Sequence, residues 1–359
     1  MHRTLILLLL PALAACASGP PVSDSQEIDR WVKSPENPYS AQNLVEAGAA
    51  AIPALKAAIL DRSLEATRRG HLAWILGRIW VHTRDEAALE TYVLALQSAR
   101  DDDSLARALF AHAHRFRDPE GRVLGLLEVA LQDLRVVSAE MVTAAAAMSE
   151  VEALETLMRI VAESVDEPAS KIRDIALRYV GRAARRGRHE AVAFLSMCTQ
   201  ADTPDVAAKA SAELKLLAGR DPAKGWRDWW LSHNSGERRA WLAESFRGEK
   251  PFDPGDRDHL GALVARIPAD GDAEPELWYL EQALGRSFGY VSPRDVFDPD
   301  VDPLKLAESN QRAVSMMREW WSENSPYLYF NPVTSRFDIS EEARRIGTPV
   351  DPRTGKPGR

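Results

Sequence analysis

Histidines in this sequence lie beside residues that could help to bind a metal ion, but their spacing is wrong for a site. His189 and Glu190 begin a helical pattern in the way that a zinc-binding helix does, and such a helix places a second histidine four residues after the first. Ala193 occupies that position. His112 and His114 are two residues apart on a predicted helix, so their side chains point to different faces. The sequence therefore predicts no metal site at these histidines.

An acidic motif in the last third of the chain has part of the ligand spacing of a calcium loop. Asp298, Asp300 and Asp302 match the first three ligands. Pro303 stands where the loop needs a glycine, and Ser309 stands where it needs a bidentate glutamate. We interpret the motif as an acidic turn between helices, and a weak divalent-cation site is the alternative.

Four arginines cluster at the predicted end of a helix, namely Arg182, Arg185, Arg186 and Arg188. Positive charges at a helix C-terminus complement the helix dipole, and each contributes about 0.3–1 kcal/mol. This structural interpretation is favoured because a single run of charges usually faces solvent. The functional alternative is a contact site for an anion or an acidic partner, such as lipid headgroups.

Tryptophans are concentrated in two short runs. Trp226, Trp229 and Trp230 form the first run, and Trp320 and Trp321 form the second. A helical array needs a cap over its last open apolar face, and tryptophan side chains bury a large area. We therefore interpret both runs as parts of a cap, and a surface that stacks on sugar rings is the alternative.

Other chemistry is not indicated by the sequence. Nothing resembles a nucleophile elbow, a phosphate-binding loop or a catalytic cysteine, so we expect no catalytic residue and no bound cofactor. Cys198 follows an apolar run and is predicted to be buried and unreactive.

The N-terminus has the layout of an export signal. Arg3 gives it a positive start, and Leu5 to Leu10 form an apolar run that is too short for a membrane span of roughly 20 residues. The run Leu13-Ala14-Ala15-Cys16 resembles the lipobox of bacterial lipoproteins. This resemblance implies that residues 1–15 are a signal peptide. It also implies that Cys16, as the first mature residue, carries a diacylglycerol thioether and an N-acyl chain.

The anchor defines the expected location and excludes some partners. Ala17 follows the cysteine where an aspartate would indicate inner-membrane retention, so the lipoprotein resemblance implies the outer membrane, facing the periplasm. Several fatty chains on one residue hold a protein firmly at a membrane. A net charge of −8 on an exported protein argues against nucleic acid as a partner.

Composition divides the chain behind the signal into segments. Residues 16–40 are rich in Pro, Ser and Gly and are predicted to form a flexible tether. Residues 41–221 carry apolar residues at helical spacing, which predicts about ten helices in five pairs. Residues 222–250 contain the predicted tryptophan-rich cap. Residues 251–345 are predicted to be a helical and loop region, and residues 346–359 a disordered tail.

The predicted helix pairs recur with a fixed period. Gly77, Gly181 and Gly219 are each predicted to end the second helix of a pair. Gly77 and Gly181 are 104 residues apart, which is three units of about 35, and Gly219 follows 38 residues later. A fixed period in this range is typical of solenoids.

One unit resembles a HEAT repeat. The stretch from Gly48 to Ile79 has Pro53 in its first helix, Asp61 in the turn and Arg69 at the start of its second helix. The resemblance implies an all-α, HEAT-like superhelix of about five helix pairs, which the tryptophan-rich segment would cap. Proteins of this family act as scaffolds through the concave face of the superhelix, and this function is implied by analogy only.

We therefore expect a membrane-anchored periplasmic scaffold or adaptor that binds a protein partner in the cell envelope. A small-molecule ligand is not expected. The rival hypothesis is an envelope glycan-binding module or a hydrolase in residues 251–345. That region has carboxylates and aromatic side chains, but no spacing there selects a catalytic pair.

Overall fold

The structure is a computed structural model that describes residues 25–99, 102–132, 137–149, 152–163, 169–246, 252–267 and 273–357. These residues are mostly helical, which confirms the all-α class in this coarse sense. A single two-stranded antiparallel sheet is present among them, and the sequence did not predict it. The signal peptide (residues 1–15) and Cys16 lie outside the described residues.

The chain divides into two compact units, residues 1–127 and residues 128–359. The helices of the first unit are α1 (Ser25–Val32), α2 (Pro38–Ala47), α3 (Ile52–Leu60), α4 (Ala66–Thr83), α5 (Glu86–Ser98) and α6 (Asp103–Phe110). They pack as pairs in two rows, with α1, α3 and α5 in one row and α2, α4 and α6 in the other. Side-chain caps begin several of them; for example, Asp102 accepts a hydrogen bond from the amide of Leu105.

The predicted tether is wrong in its second half. Helix α1 begins at Ser25, and its Ile28 and Val32 are buried in the first unit. The burial of these two apolar side chains, four residues apart, stabilises a helix that the Pro and Ser content of residues 16–40 obscured. Only residues 16–24 of the tether remain outside the described residues.

One segment among the described residues, Pro38–Leu60, is long and apolar enough to cross a membrane by length and composition alone. A helix in the core of a folded protein meets the same criterion. Within this segment Leu44, Leu55 and Ile59 are fully buried, and the chain breaks the helix at Gly48, where φ is +56°. We therefore interpret the segment as core of the first unit.

Helix α7 (Arg122–Ala130) contains the division between the units, and the second unit continues the pairwise pattern. Its next helices are α8 (Ala139–Met148), α9 (Leu154–Glu163), α10 (Ala169–Arg185), α11 (His189–Cys198), α12 (Pro204–Ala218), α13 (Trp226–His233), α14 (Arg238–Ser245), α15 (Arg257–Arg266) and α16 (Glu274–Leu284). Helices α8, α10, α12, α14 and α16 pack in series, and α9, α11 and α13 pack in a parallel series. We call the even-numbered series the second-helix row of this unit.

The C-terminal part of the second unit contains α17 (Pro303–Asn324), strands β1 (Leu328–Asn331) and β2 (Arg336–Ile339), and α18 (Glu341–Ile346). The strands are antiparallel, with Phe330 opposite Phe337. Leu328 and Phe337 join a buried cluster with residues of α15, α16 and α17.

The predicted disordered tail, residues 346–359, is wrong for the residues up to 357. The amide of Phe330 donates to the carbonyl of Pro352 at 2.8 Å, and Val350 forms a bridge with Pro357. The tail is polar in sequence, but its backbone extends the pairing of β1.

Two of the three repeating glycines lie inside helices and not at their ends. Gly77 is in α4, and a Cβ there would lie 3.1 Å from the ring of Phe116. Gly181 is in α10, where a Cβ would lie 2.7 Å from Cδ of Glu213. Gly219 does end α12, with φ +81°. Both glycines lie where another segment approaches closely, the segment after α6 at Gly77 and α12 at Gly181, and helix periodicity alone does not reveal such approaches.

Candidate functional site

The four clustered arginines do not form one surface. Arg182 and Arg185 are buried in α10, whereas Arg186 and Arg188 are exposed beyond its end. Arg188 forms an exposed ion pair with Glu190. A shared anion site made of all four guanidinium groups is therefore not present in the structure. Whether the exposed pair contacts an acidic partner stays a prediction.

Arg185 is the centre of a buried charge network in the second-helix row. Its Nη1 lies 2.5 Å from Oε2 of Glu213, Nη2 pairs with the carboxylate of Asp295, and Nε is 3.9 Å from Oε1 of Glu274. Burial lowers the pKa of the Arg185 guanidinium, but the three carboxylates raise it by more, so the net shift is upward. Arg294 also contacts Glu213, at 3.1 Å.

A second buried ion pair joins α14 to α16. Nη2 of Arg238 lies 2.7 Å from both carboxylate oxygens of Glu274. The Arg238 guanidinium also lies 4.4 Å from the ring centroid of Trp278. Burial lowers the pKa of Arg238 and raises the pKa of Glu274, and each charge opposes the other's shift. Desolvation thus offsets much of the attraction in this pair.

Residues 291–297, which we call the strap, lie across these buried charges. The strap is part of the connection between α16 and α17. Arg178 of α10 donates hydrogen bonds to the carbonyl oxygens of Pro293, Arg294 and Val296, at 3.4, 3.0 and 3.3 Å. The start of the strap is fixed by Asn310, whose side chain donates to and accepts from the backbone of Val291 at 2.8 and 3.0 Å.

Two residues in the second half of the strap, Asp295 and Phe297, also contact α10. The carboxylate of Asp295 pairs with Arg185, and its carbonyl accepts from Arg182 at 3.3 Å. The ring of Phe297 is buried, with the guanidinium groups of Arg178 and Arg182 at 5.0 and 4.6 Å from its centroid. The strap is therefore held through its main chain, the carboxylate of Asp295, the guanidinium of Arg294 and the ring of Phe297.

The tryptophan runs belong to separate clusters within the second unit. Trp226 is buried at the start of α13, and Trp229 and Trp230 are half-buried beside it. Trp241 of α14, which the sequence interpretation missed, lies 5.3 Å from Trp229 and 6.2 Å from Trp230 between ring centroids. These four rings join α13 to α14.

Trp320 and Trp321 pack instead against the C-terminal buried cluster. Trp320 lies 5.8 Å from Phe288 between ring centroids, with Arg286 over both rings. Trp321 lies against Gly261, where an added Cβ would be 3.4 Å from the indole. Both clusters pack between elements of the second unit, and the interpretation of the two tryptophan runs as a cap stays a prediction.

A cavity of about 400 Å³ opens beside the first tryptophan cluster, between the α12–α13 connection and α14. Trp229, Trp241, His233 and Glu244 are among the residues that line it. His233 stacks on Trp229 at 5.1 Å between centroids, and its Nε2 lies 3.0 Å from a carboxylate oxygen of Glu244. A cavity of this size can hold a small ligand.

Ser232, His233 and Glu244 form a chain of hydrogen bonds in this cavity. Nδ1 of His233 lies 2.8 Å from the carbonyl of Trp229 and 2.9 Å from Oγ of Ser232, and Nε2 faces Glu244. The Ser232 hydroxyl donates to the Trp229 carbonyl at 2.8 Å. The arrangement joins α13 to α14.

The acidic motif forms a turn directly before α17. The sequence analysis interpreted it as a turn between helices. Asp302 is the N-cap of α17 and accepts from the amide of Leu304 at 2.9 Å. Asp298 accepts from the amide of Asp300 at 3.0 Å. These carboxylates thus have local roles in the turn.

The residues that hold the strap were mostly missed in the sequence. Glu213 gave one signal, because it is a carboxylate inside the apolar stripe of Ala210, Leu214 and Leu217. A charge at such a position is buried only if it is paired. Asp295 and Glu274 gave no comparable signal, since neither interrupts an apolar pattern.

No protein-family model, no curated protein and no solved structure matches the chain. The interpretation of its function therefore rests on its own residues and packing.

Proposed function

We propose that this protein is a HEAT-like helical-repeat adaptor, lipid-anchored in the bacterial envelope, that binds a protein partner along its helix rows. The observation that carries the proposal is the recurrence of one contact pattern. Side chains of one helix pair reach the preceding pair at separations of 35 or 36 residues, as in Arg68 to Lys33, Arg122 to Glu86, and Lys209 to Asp174. Contacts at one fixed separation are expected when units of that length stack on each other.

The unit that resembles a HEAT repeat has contacts that suit the proposal. Pro53 lies in the first turn of α3, where its missing amide proton costs nothing. Asp61 accepts hydrogen bonds from the amide and hydroxyl of Ser63 in the turn, at 2.9 and 2.7 Å. Nε of Arg69 donates to the carbonyl of Ile59 at 2.6 Å and so caps α3 from within α4.

The membrane anchor is the second part of the proposal. Cys16 would carry the diacylglycerol and N-acyl chains, and the outer membrane facing the periplasm is the proposed location. Because the described part of α1 begins at Ser25, at most eight residues, 17–24, link the lipidated cysteine to the first helix. A link of this length spans at most roughly 30 Å, so the first unit would stay close to the headgroups.

A Cys16→Ser variant tests the anchor. We expect it to move from the membrane fraction to the soluble fraction, or to remain uncleaved, and to lose labelling by a fatty-acid analogue. Labelling that persists in the variant would contradict the lipoprotein proposal.

Site-specific photo-crosslinking in envelopes tests partner binding. A crosslinker at the exposed Thr67 of α4 probes the second helices, and one at the exposed Glu90 of α5 is a matched control on the other row. We expect a discrete protein adduct from one row and not from the other. If neither position, nor further exposed positions along both units, gives an adduct, the adaptor function is wrong.

Envelope glycan binding remains a second candidate because of the cavity beside Trp229 and Trp241. The rival hypothesis placed this activity in residues 251–345, but the cavity is lined by residues 218–244. A half-buried indole in a cavity that also contains carboxylates is suited to a polar ligand with an apolar face. The Trp229 variant described in the Discussion tests this alternative.

A further inference from the structure

The strap has unusual features for a connection between two helices. Residues 285–302 separate α16 from α17, and a three-residue 3-10 turn, Pro293–Asp295, is the one regular element in them. Irregular connections of this length are uncommon and usually functional. Pro293 and Arg294 are exposed, whereas Ser292 and Phe297 are buried, so the strap lies in a groove with its middle at the surface.

The groove binds the strap as a short peptide that contains one 3-10 turn, Pro293–Asp295. Arg178 donates hydrogen bonds to three carbonyl groups of the strap. Such contacts with the main chain do not depend on which side chains the bound segment carries. Specificity comes from three side chains: Arg294 at Glu213, Asp295 at Arg185, and Phe297 between Arg178 and Arg182. The signature is thus a cation and a carboxylate in succession, followed two residues after the carboxylate by an aromatic ring.

The groove keeps its internal contacts without the strap. Arg185 would retain Glu213 and Glu274 as counter-charges. Arg182 would retain hydrogen bonds to the carbonyl oxygens of Ala146 and Ser149, at 2.6 and 2.7 Å. Departure of the strap therefore leaves Arg182 and Arg185 with acceptors, whereas the half-buried Arg178 would lose the three strap carbonyl groups.

We propose that this groove on α10 and α12 is a peptide-binding site that the strap occupies in cis. Its ligand in trans is a turn-forming segment of a partner protein in which a basic residue precedes an Asp or Glu, with an aromatic residue two positions after the carboxylate. The inference rests on the proposed adaptor function and names the chemistry of its partner. In the absence of the partner, the strap covers the site.

The test uses the full chain as the Cys16→Ser form and a fluorescent peptide with the sequence of residues 291–297. A tethered competitor has an effective concentration in the millimolar range, so the intact strap should suppress binding. In an Asp295→Asn, Phe297→Ala variant the weakened strap should allow saturable binding, at least tenfold tighter than in the unsubstituted protein. A peptide with the same two substitutions is the control and should not bind.

Several outcomes would overturn the inference. The first is no peptide binding by a variant that keeps its helical content and melting temperature. If the variant unfolds, hydrogen exchange of the Cys16→Ser form provides the test. The strap amides should then exchange faster than the amides of α10. Equal protection of both would show that the strap is a permanent part of the core. A dimer formed by exchange of straps would also overturn it, since the occupant would then be a second copy. Envelope crosslinks at Thr67 are independent of these results, so failure here leaves the adaptor function separately testable.

Discussion

The second helices of the two units meet in different ways. In the first unit, α4 and α6 touch through small residues, with Gly70 against Ala108, and Gly77 of α4 lies against Arg115 and Phe116 in the segment after α6. In the second unit, α10, α12, α14 and α16 are joined by buried charges, with Arg185 beside Glu213 as the central pair. The helices follow the same two-row pattern in both units, so the pattern does not require either kind of contact.

Apolar contacts and buried charges between second helices contribute differently to the stability of the fold and to the specificity of its contacts. Apolar contacts contribute roughly 25 cal/mol for each Å² removed from water. A buried ion pair must first overcome the desolvation of both charges, and its replacement by apolar residues is often neutral. We infer that the charges of the second unit persist because they orient the strap, and not because they stabilise the helix row more than leucine would.

The largest expected effect is that of Arg185→Ala. Removal of this guanidinium leaves Glu213 and Asp295 buried or half-buried without their main counter-charge. Loss of one partner from a buried pair typically costs about 3–5 kcal/mol. Arg188→Ala is the control, because it removes an exposed ion pair with Glu190 that contributes about 0–1 kcal/mol. Urea unfolding measures both free energies, and equal small losses would contradict the role assigned to Arg185.

Trp229→Ala should have the next largest effect. A fully buried aromatic side chain typically contributes about 3–5 kcal/mol, and the half-buried Trp229 should contribute less, about 2–3 kcal/mol. We expect a lower melting temperature and faster proteolysis after α12. Arg227→Ala, on the same helix and exposed, is the matched control.

The same variant distinguishes a cap from a ligand site. If Trp229 stacks on a glycan, Trp229→Ala should leave melting nearly unchanged and abolish binding to envelope material. Trp321→Ala extends the test to the other tryptophan cluster. Unchanged melting curves for both variants would show that the cap interpretation is wrong.

Local patterns in the sequence predicted the elements well where neighbours along the chain decide the structure. The stretch from Gly48 to Ile79 places Pro53, Asp61 and Arg69 in the turn contacts described above, all within 11 residues of their partners. The five helix pairs of residues 41–221 correspond to α3 through α12. Apolar periodicity reports such elements because each buries one face.

Contacts between distant residues were not predictable from the same patterns. Arg178 meets the carbonyl of Arg294 across 116 positions, and Arg185 meets Asp295 across 110. The run of arginines at the end of α10 does not reveal from its composition whether the side chains face solvent or contact the strap. The β1–β2 hairpin was missed for a different reason: its partners are close in sequence, but each strand has only four residues, too few for a clear alternation.

Gly70→Ala tests the apolar half of the comparison with a smaller effect. A Cβ at residue 70 would lie 2.9 Å from Cβ and 3.0 Å from the carbonyl oxygen of Ala108, and backbone atoms cannot move aside easily. Overpacking of this kind costs about 1–3 kcal/mol. Gly125→Ala in α7 is the control with the opposite sign, because nothing lies within 4 Å of its added Cβ. There we expect a gain of about 0.5–1 kcal/mol from helix propensity.

The smallest expected effect is on the alkylation rate of Cys198, which reports on the second unit. Burial raises the pKa of the Cys198 thiol to about 11, so little thiolate is present near neutral pH. In the Cys16→Ser form it is the only thiol, and its alkylation at pH 8 should be roughly a hundredfold slower than that of a free cysteine. The rate should rise about tenfold per pH unit, because the thiolate is the reactive form. Arg185→Ala, which loosens the second unit, should accelerate the reaction, whereas Gly70→Ala in the first unit should not. Equal acceleration by both variants would show that the two units do not respond separately.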